Sequence, residues 1–197
     1  SIVATDKASN TTMLPIKIQK KFQYYKKSKI KLKNSFLNGK IANLHRELNT
    51  DNKELSKVDK FVSVNEKERL KNEETIFSYS NAVHEDSISS FKINSFRPLR
   101  KYATVGSFGV FREFYFSKFR VSTSYHLGLD IASIKNDDIK SNNDAKVVYV
   151  GLNGIYGNSI ILYHKLGLYS LYSHCSDIFI NEGTYVKKDE IMANTGK

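Results

Sequence analysis

His126 and Asp130 stand four apart in the run Tyr125-His126-Leu127-Gly128-Leu129-Asp130-Ile131-Ala132-Ser133, which is otherwise largely apolar. Leaving an imidazole or a carboxylate unpaired among apolar neighbours is costly. On a strand, successive side chains point to opposite faces. His126, Gly128 and Asp130 then share one face, with no side chain between the two polar groups, while Leu127, Leu129 and Ile131 form a core face. Neutral imidazole and carboxylate are good zinc ligands, and a catalytic zinc takes three protein ligands plus water. The pair alone also fits a structural His–Asp hydrogen bond.

A second chemical stretch is "LYSLYSHCS", residues 168–176. Regular alternation sets Leu171 and Ser173 on one face and Tyr172 and His174 on the other. His174 in a strand of a β domain suits a general base or a transition-state donor. Cys175 points the opposite way, which argues against a Cys–His dyad and for a small buried apolar residue. His164 reads as a hairpin-end residue, and His45 and His84 as surface histidines.

The elements that must position these groups follow from pattern. From about residue 97 onward, short strand-like runs recur with glycine punctuation: "SFGVFREFYF", "AKVVYVGLNG", "NSIILYH" and "TYVKKDEIMANTG". That half reads as all-β. Before it, residues 1–15 are polar and expected to be loose. Ile16, Ile18, Phe22, Ile30 and Leu32 suggest short half-buried strands, and 35–62 is ambiguous. Residues 64–83 suggest a helix capped by Asn65, with Leu70, Ile76 and Phe77 as its apolar stripe. The boundary falls near residue 95, giving an N-terminal region 1–95 and a β domain 96–197. The fold class is mainly β, preceded by a smaller mixed α/β region.

Composition narrows the partners. The 197 residues carry a formal charge of +11, mostly from lysine, with 40% hydrophobic residues and a single cysteine. One cysteine excludes an internal disulfide and a cysteine-based metal cage. No zinc-finger spacing, arginine-rich helix or ordered basic-aromatic motif is present, so nucleic acid is not the expected partner. No run of 18 apolar residues exists to span a membrane. The charge suits attraction to an anionic polymer such as a cell wall.

In order, Ser107-Phe108-Gly109, Arg112, His126-x-Gly-x-Asp130-Ile-Ala, "AKVVYVG", "YGNSIILYH", "GLYSLYSHCS" and "EGTYVKKDEIMANTGK" resemble the lysostaphin-type (LytM-domain) zinc peptidases over roughly residues 96–197. The resemblance implies an antiparallel β-sheet groove domain that hydrolyses peptide bonds in peptidoglycan stems or cross-bridges, in the cell envelope (periplasmic or extracellular). It implies Zn²⁺ held by His126 and Asp130, with His174 catalytic. Asn158, Arg112 and Tyr172 are expected on the substrate side, although a turn role for Asn158 and a core-and-surface role for the aromatic run around Arg112 remain open. The family's third zinc ligand belongs to a His-x-His motif beyond the turn that Thr195-Gly196-Lys197 begins. The sequence is therefore expected to be a fragment, completed by a C-terminal segment or a second chain. The alternative is a non-catalytic relative that binds peptidoglycan or regulates another cell-wall hydrolase. The region 1–95 is expected to block or position the groove. A lipoyl-like barrel would match 183–191 but leaves His126 and Asp130 without a reason.

Overall fold

The computed structural model describes residues 2–14, 24–48, 55–82 and 91–196. Two antiparallel strands open the chain, β1 (Ile2–Thr5) and β2 (Thr11–Leu14). This segment was expected to be loose. The Asp6 carboxylate organises its turn by accepting the backbone N–H groups of Ala8 and Asn10 at 2.8 and 2.9 Å, a local cap that hydropathy does not report. Ile16, Ile18, Phe22 and His84 lie outside the described residues.

β3 (Lys27–Lys31) alternates exposed lysines with half-buried Ser28 and Ile30, as the pattern of Ile30 and Leu32 suggested. Two helices follow, α1 (34–48) and α2 (57–80), each containing one wider π-type turn, at Leu37–Ile41 and Ser63–Glu68. The expected helix 64–83 thus starts earlier. Its N-cap is Ser56, whose side chain accepts the Asp59 N–H at 3.2 Å, not Asn65. Leu70 and Phe77 are exposed, while Phe61, Val64, Asn65, Glu68 and Asn72 are buried. The inward face of α2 is half polar because it meets hydroxyls and a turn: Asn65 Nδ2 donates to Ser122 Oγ at 2.8 Å, and Ser122 Oγ donates to Glu66 Oε1 at 2.8 Å.

β4 (Ala103–Gly106), β5 (Phe111–Phe116), β6 (Phe119–Tyr125) and β7 (Asp130–Ala132) come next. β8 (Asp138–Lys140), β9 (Ala145–Leu152), β10 (Asn158–Tyr163), β11 (Tyr169–Ile178), β12 (Tyr185–Val186) and β13 (Ile191–Thr195) complete the chain. The main sheet has the order β12-β9-β10-β11-β13-β8, and its described pairings are all antiparallel. The class is mainly β, as the pattern required. β10 carries an apolar run buried on both faces: Ile160, Ile161 and Leu162 are at most 1% exposed, and Ile160 and Leu162 pack in one cluster with Val147, Val186 and Met192. β3 pairs in parallel with β5, which pairs with β6. A second core joins this sheet to the helices through Leu37, Ile41, Phe61, Val64 and Phe114, with the rings of Phe61 and Phe114 5.0 Å apart. Residues from both sides of position 95 therefore share one sheet and one core.

His45 is buried, contrary to expectation, on the inward side of α1. His164 lies just beyond β10 and is 3% exposed; its Nε2 is 2.7 Å from Ser170 Oγ and its Nδ1 3.3 Å from the Asp144 carbonyl. Burial holds this imidazole below its ordinary value of 6.5. The unfolded chain then binds the proton more readily, so this contribution is complete above about pH 6.5 and declines as pH falls below it. We expect the urea midpoint to drop between pH 7 and 5, with a shallower slope in His164→Gln.

Candidate active site

His126 lies just past the end of β6. Its backbone N–H donates to the Val110 carbonyl at 2.9 Å, and its own carbonyl accepts from Gly109 at 2.7 Å. The chain then leaves that sheet, and Asp130 opens β7 against β4, where Gly106 is its partner. The expected unbroken strand 126–130 is not formed. Leu127 and Leu129, expected in the core, are exposed, because the change of sheet breaks the alternation. The two polar groups nevertheless meet: His126 Nε2 is 3.0 Å from Asp130 Oδ1. A Cβ on Gly128 would lie 3.8 Å from that Nε2, so glycine leaves the space beside it open.

Three contacts fix the pair. His126 Nδ1 lies 2.8 Å from the Ser107 carbonyl; a carbonyl only accepts, so Nδ1 carries a proton, and Nε2 is the nitrogen left to offer a lone pair to a metal. Arg112 Nη2 donates to Asp130 Oδ2 at 3.3 Å, which leaves Oδ1 for the histidine. Gly106 makes room for the carboxylate: a Cβ there would lie 2.3 Å from Asp130 Oδ2. Gly106 as the residue facing Asp130 escaped sequence reading; "VGSFG" was the available signal.

At 3.0 Å a proton on Nε2 closes the pair as a hydrogen bond to Asp130 Oδ1, and in its place a cation can take up the Nε2 lone pair and the carboxylate oxygen together. Anchoring the ring's other nitrogen on a carbonyl is how metal-bound histidines are oriented. Two ligands tetrahedrally placed on one zinc stand roughly 3.4 Å apart, within a small side-chain rotation of the observed gap. As a pair, His126 and Asp130 fit the metal. No group of three metal-ligating side chains exists among the described residues.

His174 is placed by a bulge. Asn158 is opposite Cys175, but Ile160 is opposite Tyr172, so β11 carries one extra residue between them. His174 takes φ +59°, a left-handed conformation rare outside glycine. The bulge breaks the expected parity. Tyr172 faces the core together with Cys175 and does not accompany His174, which turns outward into an open cavity of about 430 Å³. Asn158, Asn136, Lys135, Leu152 and Ser176 line the same cavity. Asn158 Nδ2 donates to the Cys175 carbonyl at 3.3 Å. One side of His174 is open, but crowding by the cavity wall holds its pKa below the ordinary 6.5, helped by the Lys40 ammonium and opposed by Asp130. Thus His126, Asp130 and Arg112 form one hydrogen-bonded group, and His174 and Asn158 share a cavity within electrostatic reach of Asp130.

Cys175 is buried, and burial pushes its thiol up to about 11. Almost none is thiolate at neutral pH, and the thiolate is the reactive form. A disulfide reagent such as Ellman's is expected to leave the native chain untouched and to modify one equivalent after unfolding.

Residues 124–197 match the family model for peptidase family M23. A stretch of 71 residues is 30% identical to the DD-carboxypeptidase/endopeptidase Mpg of Neisseria meningitidis, covering 36% of this chain; the match spans 16% of that protein's length. Among solved structures, the catalytic domain of the antimicrobial peptidase lysostaphin from Staphylococcus simulans is 30% identical, covering 36% of this chain and 56% of that one, with a TM-score of 0.35. Helicobacter pylori Csd3 is 26% identical, covering 50% and 27%, with a TM-score of 0.41. The C-terminal segment carries the pattern of M23, lysostaphin-type peptidases. Among the described residues, no helix is long and apolar enough to cross a membrane.

Proposed function

We propose that this chain supplies the centre of a zinc-dependent endopeptidase that hydrolyses peptide bonds in peptidoglycan stem peptides or cross-bridges, within the cell envelope. The observation that carries the reading is His126 Nε2 facing Asp130 Oδ1 at 3.0 Å with the ring's other nitrogen anchored on Ser107; the M23 pattern over 124–197 supports it. In this reading residues 96–197 form the peptidase portion.

His126 and Asp130 hold the metal, and zinc, when bound, supplies a water acidic near neutral pH and polarises the scissile carbonyl. Arg112 fixes the orientation of the Asp130 carboxylate through its bond to Oδ2. His174, kept neutral at pH 7 by its depressed pKa, accepts a proton from a group in the cavity and returns it to the leaving amine. Asn158, on the same wall, orients the peptide. The basic surface draws the protein to anionic wall polymer in a salt-sensitive way.

One observation favours a second reading, a non-catalytic LytM-type domain that binds peptidoglycan or regulates another hydrolase: no third ligand is found among the described residues. Hydrolysis of purified peptidoglycan separates the two. The 197-residue chain alone is expected to be inactive, and robust zinc-dependent hydrolysis by it would contradict that expectation. The product of the full gene is expected to hydrolyse the polymer with zinc and to stop with a chelator. A full product that binds peptidoglycan without cleaving it would establish the second reading.

A further inference from the structure

The turn beside His174 is held from outside the β domain. Asn72, buried on α2, accepts the Ile155 N–H on Oδ1 at 2.9 Å, and its backbone carbonyl accepts Asn153 Nδ2 at 3.2 Å. The neighbouring Glu73 accepts the Tyr156 hydroxyl at 3.3 Å. Gly154 has φ +48°, and a Cβ there would lie 2.4 Å from Asn72 Oδ1, so the approach is open only to glycine. The turn closes on itself through Asn153 N–H to the Gly157 carbonyl at 3.0 Å and Gly157 N–H to the Gly154 carbonyl at 3.0 Å. Gly157 then packs on the histidine: a Cβ there would lie 3.7 Å from His174 Nδ1.

We propose that Asn72 is a positioning residue for His174. It anchors the 3-10 turn Gly154–Tyr156, and through that turn sets Gly157 and Asn158 against the imidazole. A helix that only covered the sheet would place apolar side chains at this contact; α2 instead buries an amide whose Oδ1 accepts a backbone N–H of the turn, while the main-chain carbonyl of the same residue takes the Asn153 side chain, an arrangement that fixes geometry. The N-terminal region is on this account part of the frame of the site and not a removable cover. The proposal rests on the reading of His174 as the proton acceptor, but its test reads geometry and needs no activity.

The test is NMR of the whole 197-residue chain. In Asn72→Ala, exchange of the Ile155 amide is expected to rise about tenfold, the effect of losing one hydrogen bond, and the His174 ring signals are expected to move. The His164 ring signals, at the other end of β10, should stay in place. Asn72→Asp keeps the acceptor and should restore both readouts. Gly154→Ala disturbs the same contact from the turn side and should move His174 in the same way, which covers the case of an Asn72→Ala chain that does not fold. Folded variants with reduced stability but unmoved His174 signals would overturn the proposal. Lack of hydrolysis in the full gene product would count against the proposed function and leave this result standing.

Discussion

His126→Ala and Asp130→Asn are each expected to lower the zinc affinity of the chain by at least about 10–100-fold, the range seen when even the groups supporting metal ligands are removed. The reason is local. His126 presents one lone pair, on Nε2, because Nδ1 is committed to the Ser107 carbonyl. Asp130 presents one oxygen, because Arg112 takes the other. Each donor is half of a two-donor set, and no cluster of described side chains offers a replacement. Calorimetric titration with zinc checks this. The folded state should survive both substitutions, since neither side chain belongs to a core cluster.

The largest loss of stability is expected from Leu162→Ala. Leu162 is fully buried, faces Val147 across the β10–β9 ladder and packs in the main core. Removing its methyl groups leaves a cavity in a sheet closed on both faces, at a cost of about 2–5 kcal/mol. Leu127→Ala, at a leucine that is 56% exposed beside the site, should stay within about 0.5 kcal/mol. Urea unfolding of the two variants provides the comparison. A reversed order would mean that the alternation read from the sequence, with Leu127 inside, was correct after all.

That contrast shows where sequence was sufficient. The convergence of His126 and Asp130 was legible because residue type and a bare glycine between them constrain what the pair can do. The run 158–163 was legible as a strand because Ile160, Ile161, Leu162 and Tyr163 form a short apolar stretch between turn signals. Parity failed at two places, both where the backbone departs from a regular strand. Between Tyr125 and Asp130 the chain passes from one sheet to another, which exposes Leu127 and Leu129. At His174 one extra residue enters β11, which sends Tyr172 into the core and turns His174 outward. Neither event leaves a mark in hydropathy, since no glycine or proline marks the His174 bulge. The face of α2 was misread for a different reason. Its partners are the Ser122 hydroxyl and the backbone of the 153–157 turn, so the helix turns Asn65 and Asn72 inward where an apolar stripe was sought. Gly106 joins the site only through its pairing with Asp130 across two strands distant in sequence.

The account depends on one ion held between an imidazole and a carboxylate, and zinc-edge anomalous diffraction from crystals of this chain grown with zinc tests that most directly. The predicted result is a single strong peak about 2.0–2.2 Å from both His126 Nε2 and Asp130 Oδ1. A peak held elsewhere, or none at this pair with zinc at millimolar concentration, would contradict it.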